Sequence, residues 1–170
     1  MVTLKGEEVL LEGTLPKENE TVPEFELITQ TLERVSLNAF EGKIKILNIF
    51  PSLDTGVCAK SLKEFQERVT NSADLVLLHI SKDLPFAQSR FCLAEGQKGA
   101  ETLSAFDATF GEDYGLLIKN GPLKGLLARA VILLDAQNKL LYHELVHEIS
   151  EEPNYGLLLE NLENNLKHKS

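Results

Sequence analysis

The sequence predicts an α/β fold in which a mixed central sheet carries helices on both faces, with an added N-terminal β-hairpin. Three features carry that expectation. The runs KIKILNIF (43–50) and ADLVLLHIS (73–81) are rich in Ile, Leu and Val over strand length and flank a segment of helical spacing, as in a strand-helix-strand unit covered on both faces. ARAVILLD (128–135) and KLLYHELV (139–146) flank the turn AQN and predict an antiparallel hairpin. The segment PNYGLLLENLENNLKHK (153–169) repeats leucine at helical spacing and predicts a closing amphipathic helix.

Taken in order, residues 2–12 alternate Val2, Leu4, Val9 and Leu11 about a KGE turn, a small hairpin within residues 1–13. FELIT (25–29) and ERVSL (33–37) predict short strands around a polar turn, and FEGK leads into the strand at 43–50. After Pro51 the period changes, with Val57, Leu62, Phe65 and Val69 on one helical face and Asp54 or Thr55 as N-cap. The strand at 73–81 follows. DLPFAQSRFCLAEG (83–96) predicts a short helix, with Pro85 in its first turn and Gly96 as its stop. TLSAFDATFGEDYG (102–115) reads as a brief strand and a helical turn. The order β, β, β, α, β, α, β, β, α is that of a thioredoxin-like fold.

At 170 residues the chain has the length of a single domain, residues 1–170, with one core. A net charge of −9 without a cluster of Lys and Arg argues against nucleic acid as a partner. The start MVTLKGEEVLLEG is too polar for a signal peptide, and no segment reaches the length of a membrane span, so the expectation is a cytoplasmic protein with no membrane partner. Two cysteines in a reducing compartment are not expected to form a permanent staple.

Cys58 falls in the first turn of the helix after the central strand, where unpaired backbone N–H groups and the helix dipole favour a thiolate. An ordinary thiol of pKa near 8.5 is only about 3% ionised at pH 7, whereas a pKa of roughly 6 gives about 90%. A dithiol oxidoreductase carries Cys-x-x-Cys at this place, but here Thr55-Gly56-Val57-Cys58 puts a hydroxyl where the first thiol would stand. A lone thiolate beside a hydroxyl suits a peroxide substrate, whose O–O bond breaks when sulfur attacks one oxygen and the leaving oxygen is stabilised. Thr55 can hydrogen-bond the peroxide or simply cap the helix. Pro51 would stiffen the loop and limit access of water.

Cys92 lies 34 residues beyond Cys58, on the helix at 83–96. Alone it reads as a helical thiol without a role. Beside a sulfenic acid at Cys58 it becomes a candidate resolving thiol, and closing a loop of that length restricts the unfolded chain by roughly 4 kcal/mol. The same bridge could be structural. His143 and His147 are four apart, a ligand spacing on a helix, but they fall on a predicted strand, so no metal is expected. Arg129 reads from spacing alone as a strand-edge charge.

NIFPSLDTGVCAKS, ISKDLPFAQSRFCLAEG, NGPLKGLLARAV and EEPNY together resemble the bacterial thiol peroxidases, the atypical two-cysteine branch of the peroxiredoxins, from the N-terminal hairpin to the last helix. The resemblance implies a thioredoxin fold with an extra N-terminal hairpin, a homodimer, and reduction of hydrogen peroxide and organic hydroperoxides at the expense of thioredoxin. It implies that Cys58 is the peroxidatic and Cys92 the resolving cysteine, bonding within one subunit. It matches Thr55 and Pro51 to the active-site loop and Arg129 to the active-site arginine, and it requires no cofactor and no metal. Asn120-Gly121 is a small variation outside these positions. Two other classes compete: a thiol-disulfide oxidoreductase or redox sensor, disfavoured by the missing Cys-x-x-Cys, and a non-catalytic binding module on the same scaffold.

Overall fold

The computed structural model describes residues 1–52, 65–69, 74–91 and 100–167. Its centre is a seven-stranded mixed sheet in the order β11-β10-β6-β7-β8-β4-β5. The strands are β4 (Glu26–Thr29), β5 (Arg34–Ser36), β6 (Ile44–Ile49), β7 (Leu75–Ser81), β8 (Ala100–Ser104), β10 (Ala130–Leu134) and β11 (Leu140–Leu145). β6, β7 and β8 are parallel, and the strands outside them pair antiparallel. The connections from β6 to β7 and from β7 to β8 step in one direction, so right-handed crossovers place both intervening helices on one face.

That face is closed by α1, helical over the described residues 65–69, and by α4 (Tyr155–Lys167). Phe65, Val69, Leu158 and Leu162 pack against Ile44, Ile46, Leu75, Leu77, Val131 and Leu133, and the Phe65 and Tyr155 rings stack at 4.6 Å. α2 (Pro85–Phe91) joins it through Gln88, which bonds to Ser81. The opposite face packs on Phe25, Leu37, Phe110, Tyr114, Leu116 and Ile118. Leu37 comes from a 3-10 helix (Leu37–Phe40) and Phe110 from the single turn α3 (Phe110–Asp113). Helices therefore flank both faces, as the pattern predicts, and the chain has a thioredoxin-like peroxiredoxin fold.

The ambiguous stretch 102–115 resolves as expected, into the end of β8 and then α3. The N-terminal hairpin is shorter than the alternation suggests. It pairs β1 (Val2–Leu4) with β2 (Glu7–Val9), and Lys5 and Gly6 both take positive φ at its two-residue turn. Leu11–Glu12 (β3) leaves it to pair with Leu117–Ile118 (β9), a contact that periodicity could not foresee. All six residues of β6 are buried, as a strand covered on both faces requires, and the unforeseen feature is that the charged Lys45 is among them. The Lys45 ammonium donates to the carbonyls of Asp135 and Ala136 and to Asn138 Oδ1, so the charge is partnered inside the β10–β11 turn.

Candidate active site

The C-terminal edge of the parallel strands carries the candidate site. β6 ends at Ile49, and Phe50 continues the ladder by donating its N–H to the carbonyl of Ile80. Pro51 is buried immediately beyond. Lacking an N–H, it can leave the ladder without orphaning a donor, which makes it a fitting residue at which the chain turns off the sheet.

Arg129 reaches the same level from the neighbouring strand. Ala130 pairs with Ile49, so Arg129 stands one step past that pair, beside Phe50 in register. Its carbonyl accepts the N–H of Val146, and its Nε donates to the carbonyl of Ile149 at 2.7 Å. It is only 3% exposed. Burial lowers its pKa, while Tyr155 and Glu152 oppose that shift, yet a guanidinium remains charged throughout the working range. Fixing Nε on a backbone carbonyl leaves the planar fork with a set direction, which a flexible ammonium would lack.

Thr55 and Cys58 fall in residues 53–64 and Cys92 in residues 92–99, outside the described residues. The two described members of the predicted set, Pro51 and Arg129, lie at one end of the sheet, just beyond the ends of the adjacent strands β6 and β10. His143 lies on β11, as the strand reading expects, and not on a helix with His147. Among the described residues no group of three or more His, Cys, Asp and Glu is gathered as a metal site would require. Among them, too, no helix is long and apolar enough to cross a membrane.

Below this edge runs a polar row that sequence reasoning missed. Asn48, His79 and Thr102 are register partners across β6, β7 and β8, all pointing to the face that α1 covers. His79 is fully buried. Its Nδ1 accepts from Asn48 Nδ2 at 3.0 Å and its Nε2 donates to Gln66 Oε1 of α1 at 2.7 Å, the arrangement of a neutral ring protonated on Nε2. Burial pushes the His79 pKa down to about 4. The available signal was a polar residue inside each apolar run, Asn48 in ILNIF and His79 in LLHIS.

At the strand ends, Asp83 accepts the Ser52 hydroxyl on Oδ1 and the Ser81 hydroxyl on Oδ2, each at 2.7 Å. Ser52 thus binds the chain that leaves β6 to the loop that follows β7.

The Redoxin family model matches residues 17–159. The chain is 48% identical over 155 residues to a thiol peroxidase of Corynebacterium glutamicum, covering 91% of this chain and 94% of that protein. It is 48% identical over 158 residues to a thiol peroxidase of Mycobacterium tuberculosis, covering 93% and 95%. Among solved structures, a peroxiredoxin-like protein from Aquifex aeolicus superposes with a TM-score of 0.87 at 37% identity, over 96% of this chain and 95% of that one. A thiol peroxidase from Chromobacterium violaceum superposes at 0.86 over 98% and 97%, its 24% identity a likeness of fold. With the parallel strand ends, the buried arginine and the family match over most of its length, the chain belongs to the Redoxin family and, within it, to the thiol peroxidases.

Proposed function

We propose that the protein is a thiol-dependent peroxidase that reduces hydrogen peroxide and organic hydroperoxides. The Cys58 thiolate attacks the terminal oxygen of the peroxide. The O–O bond breaks, its electron pair goes to the leaving oxygen, and that oxygen takes a proton to become water or an alcohol, leaving a sulfenic acid on Cys58. Thr55 and the Arg129 guanidinium hold the oxygens and favour the thiolate, and Pro51 shields the sulfur from water. The Cys92 thiolate then attacks the Cys58 sulfur, hydroxide departs as water, and an intramolecular disulfide forms. A thioredoxin dithiol reduces that disulfide and becomes oxidised in turn.

The observation that carries this reading is Arg129. Only 3% exposed, in register with the residue before Pro51 and oriented by the carbonyl of Ile149, it brings a fixed positive charge to the end of the sheet from which the chain runs on to Cys58. A leaving alkoxide or hydroxide is stabilised by such a preorganised charge. The reading extends to a single domain acting as a cytoplasmic homodimer, with no cofactor or metal taking part.

Stopped-flow reaction of the reduced protein with one equivalent of peroxide tests the reading. Consumption far faster than by free cysteine, lost in Cys58→Ser, is the expected result. A wild-type rate no faster than free cysteine, or a Cys58→Ser protein that still turns over with thioredoxin, would overturn it.

A further inference from the structure

We propose that Asp83 is a positioning residue for the second chemical step, the condensation of the Cys58 sulfenic acid with Cys92; the inference rests on the peroxidase reading above. Its carboxylate joins the segment that leads to one cysteine with the helix that leads to the other. Ser52 follows Pro51 and stands six residues before Cys58. Gln88 stands on α2, four residues before Cys92.

The joint has a direction set by its donors. Ser52 donates to Oδ1 and Ser81 donates to Oδ2. Having given its one hydrogen to Asp83, Ser81 can only accept, and it does so from Gln88 Nε2 at 3.2 Å and from the Asp83 N–H at 3.3 Å. The same Gln88 amide donates to the carbonyl of Leu103 at 2.9 Å, and Ser104 donates to the carbonyl of Asp83 at 2.5 Å. The ends of β7 and β8 and the helix α2 are thereby tied to one residue, and Ser52 brings in the chain beyond β6. A turn aspartate closing its own loop would need only Ser81, two residues away. The bond to Ser52, 31 residues away, serves no turn.

Condensation forms the S–S bond and breaks the S–O bond, and the hydroxide leaves as water with one proton. A disulfide tolerates only a narrow range of separations, with Cα atoms within about 7 Å. The rate of an intramolecular step depends on how often the two groups reach that geometry. In sequence Cys58 follows Ser52 by six residues and Cys92 follows Gln88 by four, and Asp83 fixes both of those starting points relative to each other. Peroxide attack needs only the Cys58 side. Condensation needs both sides, so loss of the joint acts more strongly on condensation than on the first step.

Single-turnover kinetics on Asp83→Ala, Ser52→Ala and the double variant separate the two steps, with peroxide loss reporting the first and disulfide formation, by mass after thiol trapping, the second. The expected result is condensation slowed by roughly tenfold in Asp83→Ala, the peroxide rate staying within about twofold of wild type. Ser52→Ala should show most of that loss, and the double variant no more than Asp83→Ala alone. A dimedone-trappable sulfenic acid should persist in step with the delay. Unchanged condensation in Asp83→Ala, an equal fall in both steps, or additive losses in the double variant would overturn the proposal. If Asp83→Ala does not fold, Ser52→Ala decides alone, since it deletes one hydroxyl and leaves the Ser81 bond in place. A wild-type protein that consumes peroxide without forming the disulfide overturns the resolving mechanism and the role of Asp83 together. Normal wild-type disulfide formation with unaffected variants overturns only Asp83.

Discussion

His79 Nε2 donates to Gln66 Oε1 at 2.7 Å, and that bond is a polar attachment of α1 to the sheet. A helix that packs by Phe65 and Val69 could slide along an apolar surface, whereas one directional bond in a dry interior fixes its register. The ring is neutral and makes a bond at each nitrogen, so protonation would put a second hydrogen on Nδ1, where the Asn48 amide already donates.

A pH dependence follows. The folded-state pKa of His79 is pushed below its ordinary value, to about 4 from 6.5, so its contribution to stability is fully present above the unfolded value. It is lost as pH falls from about 6.5 toward 4. Between pH 7 and pH 5 the loss is on the order of 2 kcal/mol, because one pKa unit corresponds to about 1.4 kcal/mol. Thermal melts of wild type and His79→Gln over that interval check it. The wild-type curve should fall more steeply than the variant's, and parallel curves would show that the ring does not bind a proton on unfolding.

Removing the partner on the helix should act differently. Gln66→Leu leaves the His79 N–H buried without an acceptor, which costs about 1–3 kcal/mol at neutral pH. Denaturant unfolding at pH 7 measures it. A midpoint unchanged from wild type would show that the bond contributes nothing.

Arg129 predicts a loss that a positive charge alone does not restore. Arg129→Ala should reduce the second-order rate with peroxide by about 10²-fold or more, the scale of deleting one preorganised donor at a developing oxyanion. Arg129→Lys should recover little of it, because an ammonium cannot bond Ile149 and keep a fork of further donors. Stopped-flow rates for the two variants beside wild type decide this. A lysine variant at wild-type rate would mean that charge suffices and geometry does not matter.

Periodicity made the strands, the β10–β11 hairpin and α4 legible, because burial on one or both faces is written into the spacing of apolar residues. It could not reveal that Leu11 pairs with Ile118, since a two-residue bridge between distant segments leaves no period. Nor could it place Lys45 inside the core, because its partners are carbonyls of a turn that only the fold brings close. The site divides in the same way. Pro51 was readable from its place after an apolar run, whereas Arg129 carried no local sign and came only through resemblance. Asp83 and Ser52 were invisible, because their relation is a contact between two loops.

Gly13 separates steric exclusion from backbone strain. It takes φ +92, and a Cβ there would fall on the carbonyl of Glu112, where the N-terminal segment crosses α3. Gly42 has a similar φ of +89 with nothing within 4 Å. Gly42→Ala should therefore cost only the left-handed conformation, about 1–2 kcal/mol. Gly13→Ala should exceed about 3 kcal/mol, since backbone on both sides must move. For a chain of this size that is a drop in Tm of roughly 6–12 °C. Equal losses in the two variants would show that the contact with Glu112 yields freely.

Cys92→Ser tests the order of events at the two sulfurs. If Cys58 reacts first and alone, the variant consumes one equivalent of peroxide at close to the wild-type rate and then stops, because no thiol is left to displace the sulfenic hydroxyl. Intact mass should show one added oxygen, and dimedone should label Cys58. Thioredoxin-dependent turnover should be absent. In the wild type the same treatment should give a mass two hydrogens below the dithiol, with Cys58 and Cys92 joined within one chain. A Cys92→Ser protein that reacts slowly in the first step would place Cys92 in peroxide attack itself, and a wild-type crosslink between chains would make resolution a property of the dimer. The first result would also remove the reason for Asp83 to act more strongly on condensation, since both cysteines would then serve one step.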